Sequence, residues 1–231
     1  MTWSKSRPIA VLVLALAGAM PAAARPPDVL EPVMAGEFAL QAGDYSQAAR
    51  HYLRAAQASR DPGLAERAAR IALLAGQPEP ASAAISRWRE LVPGSLPAAA
   101  AAIQLALDQG DAETAGREAA RLMDPDRPEG FPVLLSALGD AGEGRAAVAR
   151  EVLRGLYGSN HMPVSLGGWL AVAGLARRLD DRPLAERLVV EGVERFPEDP
   201  RALLLESARL REQGRDEAAR EQLAGLGDPA A

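Results

Sequence analysis

His51 and His161 are the only imidazoles in the chain, and it contains no cysteine. Imidazole chemistry needs a hydroxyl, a carboxylate or a second ligand held beside the ring. His51 stands next to Tyr52, with no partner at metal-binding spacing, and His161 lies in the polar run Gly158-Ser159-Asn160-His161-Met162. Both are read as structural or solvated. Without a thiol there is no thiolate catalysis, no cysteine-bound metal and no disulfide. The H-E-x-x-H zinc signature, the phosphate-binding glycine loop and the G-x-S-x-G elbow do not occur. Gly142-Glu143-Gly144 opens like a dinucleotide loop but lacks the third glycine and a preceding strand. Asp124, Asp126 and Asp140 do not keep calcium-loop spacing, and Arg177-Arg178 before Asp180-Asp181 reads as a solvated helix end. No catalytic, metal-binding or cofactor-binding residue is assigned: the expectation is a protein that is not an enzyme and takes no cofactor.

Whatever these side chains do, composition says what must position them. Hydrophobic residues make up 48% of the 231 positions but aromatics only 4%, and alanine dominates. Alanine favours helix and adds little bulk, which points to closely packed helices; alternating Val/Ile/Thr runs are absent outside the first residues. The net charge of −5 argues against a nucleic-acid partner. Only Lys5 is a lysine among 26 basic residues, a bias read here as coding composition.

Residues 1–24 are organised as an export signal. Lys5 and Arg7 supply positive charge, the 11 residues Ile9–Ala19 are apolar, and Ala22-Ala23-Ala24 offers a cleavage site before Arg25. As a helix the apolar run spans roughly 16 Å, too short for a hydrocarbon core of about 30 Å. The expectation is a signal peptide over 1–24, a periplasmic mature chain over 25–231, and no stable membrane insertion after cleavage. Leu16-Ala17-Gly18-Ala19 has the shape of a lipoprotein box with alanine in place of the acylated cysteine, so the chain is not expected to be a lipoprotein.

A period runs through the mature chain. Gly43-Asp44, Gly76-Gln77, Gly110-Asp111, Gly144-Arg145, Asp180-Asp181 and Gly214-Arg215 recur at intervals of 33, 34, 34, 36 and 34 residues. Five positions after the first residue of each pair stands an alanine: Ala48, Ala81, Ala115, Ala149, Ala185 and Ala219. Glycine closes a first helix in the left-handed conformation, an aspartate after it caps the second, and alanine marks close helix contact. Four residues on comes a bulky filler, Tyr52, Ile85, Leu153, Val189 or Leu223, with Ala119 in the third unit. The period is that of the tetratricopeptide repeat. The predicted fold is an all-α, tetratricopeptide-like α-solenoid of about six helix-turn-helix units, 29–62, 63–96, 97–129, 130–163, 164–199 and 200–231.

Such arrays work through the face lined by first helices. That face is predicted to carry Glu37, Gln41, Glu66, Arg70, Gln104, Asp108, Arg177, Arg178 and Arg211, acidic toward the first units and basic toward the last, as a groove for a protein partner. The chain stops soon after its last helix, so Leu223 and Leu226 are expected to leave an apolar C-terminal edge suited to homo-oligomer formation.

The run Ala35-Gly36-Glu37-Phe38-Ala39-Leu40-Gln41-Ala42-Gly43-Asp44-Tyr45, followed by Ala48-Ala49-Arg50-His51-Tyr52-Leu53, Asp61 to Leu73, and Trp88 before Leu91-Val92-Pro93, resembles a proteobacterial envelope family. That family is the tetratricopeptide lipoproteins that bind a periplasmic carboxyl-terminal processing protease and present cell-wall hydrolases to it. The likeness is strongest over 29–96 and weaker over 97–215. Ala19 departs from the family's lipidated cysteine, and the chain is shorter than its members. The resemblance implies a scaffold or adaptor whose partner is a periplasmic protease or murein hydrolase. The alternative is a chaperone-like binder in envelope polymer assembly or export; an enzyme with a site built between repeats is the third reading.

Overall fold

The computed structural model describes residues 29–224, and the leader and Leu226 lie outside them. The described residues form twelve helices and no strand, and the helices follow one another as six helix-turn-helix units, five of them closed hairpins. The first hairpin pairs α1 (Leu30–Gln41) with α2 (Tyr45–Ala58), the second α3 (Pro62–Leu74) with α4 (Pro78–Leu91), and the third α5 (Leu96–Gln109) with α6 (Ala112–Leu122). The fourth holds α7 (Gly130–Gly139) and α8 (Glu143–Gly158), the fifth α9 (Leu166–Arg178) and α10 (Arg182–Arg195), and the sixth α11 (Pro200–Glu212) and α12 (Asp216–Ala224).

Local chemistry sets the turns. Gly43, Gly76, Gly110 and Gly214 take positive φ, as does Asp180 in the fifth hairpin. At each turn the next amide reaches back five residues: Asp44 to the Ala39 carbonyl at 2.9 Å, Gln77 to Ala72 at 2.9 Å, Asp111 to Ala106 at 2.9 Å, Asp181 to Ala176 at 2.8 Å and Arg215 to Leu210 at 2.8 Å. These bonds satisfy carbonyls that a helix end leaves without a partner. Asp44 and Asp111 then accept the amides of Gln47 and Thr114, each at 2.9 Å, and so cap the second helices.

The fourth hairpin breaks the expected pattern. Gly144 closes no helix; it is the second residue of α8. Helix α7 ends earlier, at Gly139, and its cap Asp140 keeps negative φ. Here α7 packs on α5 and α8 on α6 rather than on each other, so the two helices pair in the period but do not close against one another. The alanine marker nevertheless survives, because Ala48, Ala81, Ala115, Ala149, Ala185 and Ala219 are all buried.

Two core clusters meet within α5. One runs from Ala48 to Ala101 and is built mainly of alanine around Tyr52, Ile71, Ile85 and Trp88. The other runs from Ile103 to Leu188 and is rich in leucine and valine. Arginines reach between hairpins. Arg67 pairs with Glu37 at 2.5 Å, Arg87 donates to the Ser59 carbonyl at 2.8 Å, Arg145 meets Asp108 at 3.5 Å, and Arg150 donates to the Leu179 carbonyl at 3.1 Å. The arginine bias thus has a structural use, since a guanidinium offers five donors to carbonyls and carboxylates alike.

Candidate protein-binding surface

All nine residues expected on the working face sit on first helices, but they do not form one continuous set of free side chains. Glu37 of α1 accepts the Tyr52 hydroxyl as well as pairing with Arg67, and the Arg67 guanidinium lies 4.7 Å from the centre of the Tyr52 ring. Burial and the hydrogen bond to Glu37 push the Tyr52 hydroxyl up to about 12, against the pull of Arg67. Glu37 therefore ties α1, α2 and α3 together. Glu66 pairs with Arg70 one turn on, and Asp108 with Arg145 of the next hairpin. Gln41 is exposed and Gln104 half-buried. Arg178 packs its guanidinium against Gly139 of α7, where any Cβ would collide with it. Arg211 is exposed on α11.

Arg177 has a different setting, at the mouth of a groove of about 1030 Å³ between α10 and α11. Val189, Val190 and Val193 of α10 form one side of its floor, with Ala202 and Leu203 of α11 on the other. Asp180, Glu186, Glu194 and Arg209 stand on the rim. The groove exists because α10 and α11 approach less closely than α2 and α3 do at the corresponding joint. Its volume lies just above the range of about 300–1,000 Å³ usual for ligand sites. Sequence reasoning named Arg177 but missed the floor. The available signal was the Val189-Val190 pair with Val193, one apolar residue more than a single buried face of α10 needs; Val190 is exposed.

Apolar exposure also appears at the N-terminal edge, where Met34 and Phe38 stand four residues apart on α1. The expected C-terminal edge rests on Leu226, outside the described residues, and on Leu223 in α12.

The histidines sit in local contacts. His51 Nδ1 meets the Arg54 guanidinium one turn away. Ser159 Oγ lies 2.9 Å from His161 Nδ1 and donates to the Gly155 carbonyl at 2.7 Å, which makes it a helix-end contact. No group of three or more His, Asp or Glu side chains that could hold a metal ion occurs among the described residues, and none of their helices is long and apolar enough to cross a membrane. A scan of protein-family models returns no match to this chain, and a search of the curated proteins returns none either.

Proposed function

We propose that this chain is a non-catalytic, tetratricopeptide-type scaffold or adaptor, exported to the periplasm by its leader, that holds a protein partner. The observation that carries the reading is the open apolar groove between α10 and α11 with Arg177 at its mouth, in an array of helical hairpins. Helical-repeat arrays present extended surfaces of this kind, with an apolar floor for side chains and a charged rim for register. The resemblance of residues 29–96 supports a partner of the carboxyl-terminal processing protease or cell-wall hydrolase class.

The test is retention from periplasmic extract by the tagged chain starting at Arg25, read by mass spectrometry. The expected outcome is a defined protease or murein hydrolase, lost when Arg177→Glu reverses the groove mouth. A diffuse set of unfolded or exported clients, held by the same groove and insensitive to Arg177→Glu, would establish the chaperone-like alternative, which the apolar groove floor also supports. Recovery of no protein at all would overturn both.

A further inference from the structure

A second concavity, of about 580 Å³, opens where the second hairpin joins the third. Its walls belong to second helices and to the connecting turn: Arg89 of α4, Glu118 and Arg121 of α6, and Arg127 beyond α6, around the start of α5 at Ser95-Leu96. It shares none of the nine residues predicted for the first-helix face.

Glu118 organises the cleft. It is only 7% exposed, and a carboxylate buried that far is unfavourable unless it is matched by charge and hydrogen bonds. Arg89 supplies two donors, at 3.3 and 2.6 Å, and Arg121 a third, at 2.9 Å. Two guanidinium groups are thereby held against one carboxylate. The trio keeps one surplus positive charge.

Arg127 lines the cleft as well. It donates to the Gly94 carbonyl at 3.0 Å, with its Nε 3.5 Å from Glu129. Gly94 has φ of +76°, and the guanidinium lies 3.2 Å from where its Cβ would be. Asp124 also lines the cleft, and Glu129 beside it takes up the charge of Arg127, so what the cleft offers is the N–H donors that Arg89 and Arg121 hold around Glu118. Glu118 spends few of the available donors. Arg121 gives it one of its five N–H groups and keeps a largely exposed side chain. The first turn of the 14-residue α5 adds the positive end of its dipole to the same space.

The geometry points to a docking site for a carboxylate on an acidic peptide segment of a protein partner. Guanidinium groups held by a buried anchor suit bidentate recognition of a planar carboxylate. The few N–H groups that Arg121 keeps free suit one or two such groups and not a polyanion. The inference rests on the protein-binding reading and adds to it a second contact point with a stated chemistry, distinct from the α10–α11 groove.

Fluorescence anisotropy with a short labelled Glu/Asp peptide, its Gln/Asn counterpart as control, tests it on the chain from Arg25 onward. The acidic peptide binds, the amide peptide binds at least about tenfold more weakly, and Arg121→Glu costs at least about tenfold. Arg50→Glu makes the same charge change on α2, away from the cleft, and leaves binding as it was. Equal binding of the two peptides, or equal losses from Arg121→Glu and Arg50→Glu, would overturn the site. Unchanged melting of Arg121→Glu shows that the loss is local. If Arg121→Glu still retains the extract partner while the acidic peptide fails to bind, the cleft falls and the scaffold reading stands. Selective binding of the acidic peptide with no partner retained leaves the cleft and removes the scaffold reading.

Discussion

The first two hairpins and the stretch from α5 to α10 stack by different means. In the first region Ala48, Ala49, Ala56, Ala65, Ala68, Ala69 and Ala72 are buried, and α2 approaches α3 of the next hairpin as closely as helices within one hairpin do. Alanine contributes little transfer free energy of its own; it lets two backbones come close, so dispersion and the few large side chains, Tyr52 and Trp88 among them, close the contact. In the second region the gaps between helices are filled by Leu134, Leu138, Val152, Leu153, Leu184 and Leu188. Each such side chain contributes about 1.5–3 kcal/mol when buried. The joint between the fourth and fifth hairpins is reinforced by polar links, Arg154 to Asp181 at 2.7 Å and Tyr157 to Glu191 at 2.5 Å. The same repeat can be stacked by close backbones or by filled gaps, and the two should fail in opposite ways.

The largest effect is expected where a gap-filling residue is removed. Leu138 is fully buried, and Leu138→Ala should destabilise the fold by about 2–5 kcal/mol through lost transfer energy and an unfilled cavity. In the alanine region the damaging change is enlargement. Ala68→Leu puts extra volume between helices with no free space and should cost about 1–3 kcal/mol. Urea unfolding of the two variants measures both. If Ala68→Leu proves neutral, the close-packing account of the first region is wrong.

A smaller effect tests the polar joint. Asp181 is 2% exposed, caps α10 through the Leu184 amide at 3.4 Å, and accepts from Arg154. The Arg154 hydrogen bond, helped by the Leu184 amide and by the nearby charges of Arg154 and Arg150, holds its carboxyl below the usual 3.8, against the opposing effect of burial. A depressed carboxyl stabilises the fold above its unfolded value and loses that contribution as pH falls through the folded value. Asp181→Asn should therefore cost about 1 kcal/mol at neutral pH, discounted because Arg154 is largely solvated. The difference from the natural chain should vanish in acid, at pH values below 3.8. Unfolding curves across that range would show convergence; a constant offset would mean that the carboxylate's charge plays no part.

The period was legible because it rests on local necessities: a residue that tolerates positive φ after the first helix, and an alanine where helices meet. All six marker alanines are buried, and five of the six turn residues, including Asp180, take positive φ. The arginine links were not legible. Their partners lie about one repeat away, and several are backbone carbonyls, such as those of Ser59, Gly94 and Leu179, which carry no sequence signature. The groove was hidden for a related reason, since it depends on how far α10 stands from α11. Of the nine predicted surface residues, Glu37 and Arg178 are committed to packing between elements, a use that spacing alone does not separate from exposure.

The fourth hairpin supplies the finest comparison, between two glycines that occupy the same place in the period. Gly110 has φ of +73° and closes α5, with its amide donating to the Leu107 carbonyl at 3.2 Å. An alanine there has space, as no atom lies within 4 Å of its Cβ, yet it must adopt the left-handed conformation, which costs roughly 1–2 kcal/mol. Gly144 lies in the first turn of α8 without positive φ and has equally open surroundings. There alanine restricts the unfolded chain and favours helix, so Gly144→Ala should stabilise by about 0.4–1 kcal/mol. Thermal unfolding of the two variants should move in opposite directions from one starting protein. Parallel shifts would mean that Gly144 closes a helix as the period first suggested, and that the fourth hairpin is built like the rest.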